Sequence, residues 1–259
     1  MTSELLPERR GTTLVLTISD PATRNTLSAQ VIAAGIEALG VSEANDEIRA
    51  VVLRGDGAHF CAGGNLNGLV ERRQTGPDAQ RRMLEHLHHW IEAIRAYPKP
   101  VLAAVEGAAA GAGFSIALAC DLIVAAEDAR FTMSYGKLGL TPDGGATWSL
   151  VHALPRAFAQ RLLWLAEPVT ASMLHGHGVV TAVTAPGSAL AEALALTDRL
   201  AAMAPNAIAC AKELLEQAPR RTLDEQLAVE RDQFIDKLFH ANGAEGLAAF
   251  LEKRAPRFR

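Results

Sequence analysis

At 259 residues, with 49% hydrophobic and 21% charged residues, the chain can bury one large core plus an appendage and needs no covalent staples. A net charge of -4 supplies no overall field for nucleic acid or an anionic membrane surface, and no uninterrupted apolar run reaches membrane-spanning length. The cysteines Cys61, Cys120 and Cys210 are scattered and odd in number, which suits a reducing compartment, and with an N-terminus lacking an apolar signal core the chain reads as cytoplasmic.

Residues 12–18, TTLVLTI, alternate as a strand does, and Ser19, Asp20 and Pro21 end it. Ser28 then suits the N-cap of a helix whose apolar positions Val31, Ile32, Ile36 and Leu39 recur at helical spacing. Residues 50–54, AVVLR, read as a buried strand running into the loop GDGAHFCAGGNL. Residues 71–82 read as a polar loop leading into a helix from about residue 83 to 96. That helix carries His86, His88 and His89, which with His175 and His177 are assigned to solvated or interface faces, because no second cluster offers convergent metal-ligand spacing.

Next come a β-branched strand at residues 101–105, a turn of only Gly and Ala at 107–113, a short apolar helix at 114–119 and a strand at 122–126. Helical segments follow Gly145, with turns at Glu167-Pro168 and at His175 to Gly178. From Ala189 onward the chain is almost wholly helical, punctuated by Pro205 and Pro219. Strands alternating with helices and Gly-rich loops after the strands predict an α/β fold with its ligand at the strand ends.

The Gly-Ala turn at residues 107–113 strips side chains from a helix entrance, so a ligand can approach bare backbone. The first N–H groups of that helix lack intrahelical acceptors and lie at the positive end of its dipole, which suits them to developing negative charge. Close helix-strand packing explains the same glycines equally well. A dinucleotide fingerprint does not, since Ile116 stands where a third glycine belongs and Asp121 comes too early for the ribose acid.

Taken together, GDGAHFCAGGNL and GAAAGAGFSIALACDLIVAAEDARF resemble the two signature segments of the enoyl-CoA hydratase/isomerase (crotonase) superfamily, in that family's order and spacing. The resemblance runs from Thr12 to the C-terminal AEGLAAFLEKRAPRF. It implies a crotonase-like spiral of ββα turns over residues 1–195 and a C-terminal helical region over residues 196–259 that builds a homotrimer, often paired into a homohexamer. Within the superfamily, MSYGKLGLTPDGGATW and LDEQLAVERDQF are most similar to phenylacetate-pathway isomerases acting on ring-epoxide and unsaturated acyl-CoA thioesters.

Carried over position by position, the resemblance places the oxyanion N–H groups at Gly64 and Ala112, and CoA contacts at Arg24, Ala62 and Leu66. Phe258 and Arg259 match positions that reach a neighbouring subunit's CoA. Asn65 stands where the family usually has Asp and is expected to keep a hydrogen bond while losing the charge. Hydratases of the family hold water between two glutamates, and here those positions are Ser115 and Tyr135, neither of which is a carboxylate base at neutral pH.

Asp143, in Leu-Thr-Pro-Asp-Gly-Gly, matches a position that the family's isomerases use. On the residues alone it is equally good turn chemistry. A single base suffices when one proton leaves one carbon and returns to another. The expectation is therefore an isomerase that shifts a double bond or opens a ring epoxide through a thioester enolate, with no metal or redox cofactor and CoA arriving as part of the substrate.

Rival readings are Asp143 as a nucleophile in hydrolase or dehalogenase chemistry, hydration through another acid such as Glu106, and a catalytically retired CoA- or RNA-binding homologue. The acidic charge balance argues against the RNA form of the last. Phe114, Met133, Tyr135 and Trp148, with Ser115, are the candidates to line the acyl pocket, while Trp90 and Trp164 are assigned to packing.

Overall fold

The computed structural model describes residues 3–259. β1 (Glu4–Arg10) and β2 (Thr13–Ser19) pair antiparallel across a turn at Gly11, whose φ of +60° suits glycine. β1 lacks the alternation that announced β2. Its sequence ELLPERR is charged and interrupted by Pro7, and both features belong to an exposed sheet edge. α1 (Ala29–Glu43) follows, capped by the Ser28 hydroxyl, which accepts from the Val31 N–H at 3.2 Å. β3 (Ala50–Gly55) then returns parallel to β2.

The expected polar loop at residues 71–82 is instead helical. α2 (Leu66–Thr75) and α3 (Pro77–Ala96) meet at Gly76, whose φ of +121° breaks the first helix just before Pro77 starts the second. α2 buries no residue, so it carries no apolar stripe to read, and its Glu, Arg and Gln residues are good helix formers.

β4 (Val101–Val105), β5 (Ala108–Ala110), α4 (Ala112–Ala119), β6 (Leu122–Ala126) and β7 (Arg130–Thr132) come next. The Gly-Ala stretch expected as one turn thus contains β5, which pairs in parallel with β7. Three alanines carry no strand signal of their own, and the later segment supplies the pairing. The helix expected at residues 114–119 begins at Ala112, which makes the Ala112 N–H the first of its unpaired donors.

The chain continues through α5 (Ala146–Ala153), α6 (Arg156–Leu165), β8 (Val169–Thr170), α7 (Ala171–Gly176), β9 (Ala182–Thr184) and α8 (Ala189–Ala201). The main sheet has six strands in the order β1-β2-β3-β4-β6-β9, parallel except for β1, and β5-β7-β8 form a second sheet.

Adjacent residues on a strand serve opposite faces. Leu16, Val51, Leu53, Val101 and Val105 join Val31, Ile32, Trp90, Ile94 and Phe114 in one core, while Val15, Val52, Leu102 and Val124 pack against Ala189 and Ala193 of α8. The boundary expected between residues 195 and 196 therefore falls inside α8, a helix that lies along the sheet.

α9 (Pro205–Gln217), α10 (Leu223–Phe239) and α11 (Ala241–Glu252) end the chain, with α10 packed on α9 and α11. Phe234, Phe239, Phe250 and Leu251 on α10 and α11 are exposed by 70%, 84%, 82% and 80%. Among the described residues no helix is long and apolar enough to cross a membrane.

Candidate active site

The site grows from the loop after β3. Asn25 is fully buried, and its Nδ2 donates to the Asp56 and His59 carbonyls at 2.9 and 2.7 Å while its Oδ1 accepts from the Asp20 N–H at 2.9 Å. Arg24 and Asn25 both sit in the left-handed region at φ +59°, a strained pair held by these bonds. The Arg24 carbonyl accepts from the Ala62 N–H at 2.9 Å. The exposed Arg24 side chain stands beside the loop without a hydrogen bond or ion pair among the described residues. Nothing in the sequence distinguished Asn25, because its partners come from a different loop.

The two signature loops are sewn together by backbone. Cys61 donates to the Ala108 carbonyl at 3.0 Å and accepts from the Ala110 N–H at 2.9 Å, extending β5 by one parallel bridge. This approach needs bare glycine. A Cβ on Gly63 would lie 2.6 Å from the Ala110 oxygen and 3.1 Å from the Ala112 nitrogen, and one on Gly113 would lie 2.3 Å from the Cys61 oxygen.

Gly63 uses both of its own polar groups, its N–H on the Cys61 sulfur and its carbonyl on the Leu27 N–H. The N–H groups of Gly64 and Ala112, by contrast, make no hydrogen bond among the described residues. Burial pushes the Cys61 thiol up to about 12, so it acts as a structural acceptor and not as a nucleophile.

Across the first turn of α4 stands Asp143. The Tyr135 hydroxyl donates to Asp143 Oδ1 at 2.6 Å, and the Ser115 hydroxyl donates to the Asp143 carbonyl at 3.0 Å. A Cβ on Gly144 would lie 2.9 Å from that of Ser115, so glycine at 144, with φ +59°, lets the turn press against the helix. Tyr135 comes from a 3-10 turn at Ser134–Leu138, and its oxygen lies 3.6 Å from where a Gly111 side chain would begin.

Burial raises the Asp143 carboxyl above its ordinary value, against the opposing pull of the Tyr135 hydrogen bond and the nearby charge of His88. Burial, with the adjacent carboxylate, also raises the Tyr135 phenol. A carboxylate with raised proton affinity can exchange a proton with a substrate, and unpaired N–H groups such as those of Gly64 and Ala112 can hold a substrate's negative charge.

The sequence profile of the enoyl-CoA hydratase/isomerase family matches residues 8–259. The chain belongs to that family. Its sequence is 35% identical over 246 residues to the 1,2-epoxyphenylacetyl-CoA isomerase of Escherichia coli K12, covering 95% of this chain and 94% of that one. It is 33% identical over 259 residues to the 2,3-dehydroadipyl-CoA hydratase of the same organism, covering 99% of each. Its fold superposes on the crystal structure of an enoyl-CoA hydratase from Polaromonas sp. JS666 with a TM-score of 0.98 and 54% identity, covering 99% of this chain and 100% of that one. The crotonase-like α/β architecture expected from the signature segments is therefore the fold of this chain.

Other residues singled out in this hydratase/isomerase family member are scattered. Asn65 caps α2, its Oδ1 accepting from Asn67 and Gly68 at 2.9 and 3.3 Å. Ala62 and Leu66 share the first loop with Arg24, Ala62 half-buried and Leu66 exposed at the start of α2. Phe114 and Met133 are fully buried in the core, and Phe114 packs on Phe131 with ring centroids 5.0 Å apart.

Trp148 stacks on His152 at 4.1 Å with the Arg95 guanidinium 4.3 Å above its ring, in a cleft shared with Asp121 and Lys212. Side-chain direction, set by packing, separates these three from their neighbours in sequence. Glu106 accepts from the Gly187 and Ala189 N–H groups at 3.0 and 2.9 Å and so holds the start of α8 rather than a water. At the C-terminus, Asn242 clasps the Arg259 backbone at 2.8 and 3.0 Å, and Phe258 lies against Gly246 of α11.

Proposed function

We propose that this enzyme isomerises an acyl-CoA thioester, shifting a double bond or opening a ring epoxide, with Asp143 as its one acid/base. The thioester oxygen sits between the N–H groups of Gly64 and Ala112. Asp143 removes a proton, the two donors hold the enolate, and Asp143 returns the proton to a different carbon. Donors of this kind are worth about 3 to 4 kcal/mol each.

The observation that carries the proposal is that the carboxylate brought against α4, the helix that opens on the unpaired Ala112 N–H, is Asp143, held there by Ser115 and Tyr135. Those two positions are where the resemblance implies glutamates in hydratases. The likeness to a protein named as an epoxyphenylacetyl-CoA isomerase supports the same reading.

CoA enters as part of the substrate, with Arg24, Ala62 and Leu66 as its contacts, and the reaction requires no metal or redox cofactor. The exposed Arg24 guanidinium is able to pair with a phosphate. The exposed apolar residues of α10 and α11 support a homotrimer or a dimer of trimers, and three unpaired cysteines support a cytoplasmic setting.

Hydration is the second reading, favoured by the names of the Escherichia coli and Polaromonas relatives. Incubation with α,β- and β,γ-unsaturated acyl-CoAs and a ring-epoxide phenylacetyl-CoA, followed by mass and NMR of the products, distinguishes the two. Isomerisation leaves the mass unchanged and moves the double bond or ring oxygen, whereas hydration adds one water. Conversion of the panel only to hydroxyacyl products overturns the isomerase proposal.

A further inference from the structure

The two oxygens of Asp143 are not equivalent. Oδ1 accepts the Tyr135 hydroxyl at 2.6 Å, while no hydrogen bond among the described residues reaches Oδ2. The backbone behind them is also restrained, because the Asp143 carbonyl accepts from the Ser115 hydroxyl at 3.0 Å and from the Ala146 N–H at 3.2 Å. Tyr135 itself has little freedom. The residue is 9% exposed, and its carbonyl accepts from the Leu140 N–H at 3.0 Å, closing the turn that carries it.

We propose that Tyr135 is a positioning residue for Asp143: its hydroxyl occupies Oδ1 and leaves Oδ2 as the one oxygen that takes the substrate's proton and returns it. This rests on Asp143 being the acid/base argued above. As Oδ2 bonds to the proton, the C–H bond breaks and its electron pair moves through carbon to the thioester oxygen. The enolate's electrons then take the same proton from Oδ2 at a different carbon. Asp143 ends as the carboxylate, and no co-reactant is consumed.

Tyr135 keeps its own proton throughout, since burial and the adjacent carboxylate hold it more tightly than in a free phenol. A carboxylate free to rotate would present either oxygen and lose orientation between the two half-steps. One held at Oδ1 presents the same atom to both.

Tyr135, from the 3-10 turn, bonds the Asp143 carboxylate, and together with the charge of the exposed His88 on α3 it favours the ionised form against burial. Ser115 of α4 binds only its backbone. Removing the Tyr135 hydroxyl leaves burial less opposed, so Asp143 ionises at higher pH.

The test compares full-length wild-type enzyme, Tyr135→Phe and Asp143→Asn. Asp143 is titrated by carboxyl-13C NMR without substrate, its signal assigned by its loss in Asp143→Asn, and kcat/KM is measured against pH. Tyr135→Phe is expected to raise the Asp143 midpoint and the acid limb together by about 1 pH unit. It is also expected to lower kcat at pH 7 by roughly 10- to 100-fold, recovering partly at high pH, with KM little changed.

Incorporation of 3-fluorotyrosine at position 135, a stronger donor with the same packing, is expected to move the midpoint downward and covers the case in which the phenylalanine variant does not fold. An unmoved midpoint in either folded variant overturns the positioning role while an inactive Asp143→Asn leaves the acid/base reading standing. Wild-type turnover by Asp143→Asn overturns both.

Discussion

Asp143→Asn removes a base while leaving its scaffold in place. The asparagine Oδ1 still accepts the Tyr135 hydroxyl, the backbone carbonyl still accepts from Ser115, and Gly144 still packs on α4, so the turn keeps its anchors. Loss of a positioned general base is expected to lower isomerisation by roughly 10²- to 10⁴-fold, about 3 to 5 kcal/mol of transition-state stabilisation. Exchange of the substrate proton with deuterated solvent should fall in parallel.

Stability moves the other way. Burial raises the carboxyl's folded-state pKa above its unfolded value near about 3.9, so Asp143's contribution to stability is fully present below that value and is lost as pH rises through the raised one. Asparagine does not ionise. The variant should therefore gain in stability relative to wild type across that window and match or exceed it at pH 7, a difference read by thermal melts at pH 3.5 and pH 7. An active Asp143→Asn that still exchanges protons would refute the base assignment. A variant whose relative stability falls as pH rises would refute the account of the buried carboxyl.

Gly63→Ala should separate the two signature loops, because a side chain there at φ +87° meets the Ala110 oxygen at 2.6 Å; kcat/KM is expected to fall by about 10²-fold or more as one donor leaves its place. Glu106→Ala removes the acceptor for two backbone N–H groups at the start of α8 and should cost about 1 to 3 kcal/mol in chemical unfolding while kcat is unchanged; a large loss of kcat with unaltered stability would restore Glu106 as an acid of the reaction. Sedimentation should show a trimer or hexamer, since Phe234, Phe239, Phe250 and Leu251 are too exposed for an isolated chain. A stable monomer at micromolar concentration would contradict that reading, and Phe250→Glu should shift the wild-type assembly toward smaller species.

Local pattern was enough to find β2, β3, β4 and β6, the Ser28 cap and the helical C-terminal region from Ala189 onward, because alternation, helical spacing and capping chemistry act over a few residues. The glycines of the turn at residues 107–113 were likewise visible as places where backbone could be closely approached. The sequence alone did not reveal what they approach. Charged β1 is a strand because β2 offers it an edge, and the alanines of β5 are a strand because β7 lies alongside.

The site depended still more on distant partners. Ser115 and Tyr135 were legible as departures from two glutamates, yet their bonds to Asp143 exist only because the 3-10 turn folds back onto α4. Phe114 is one residue from Ser115 in the chain, but it points into the core, while Trp148 stacks in a different cleft. Glu106 could serve as an acid until α8 arrives from residue 189 to take both its oxygens. Sequence determined which groups were available and which backbone paths they could follow. Tertiary packing decided which of them share a site, because side-chain direction, burial and hydrogen-bond partners are set by segments far away in the chain.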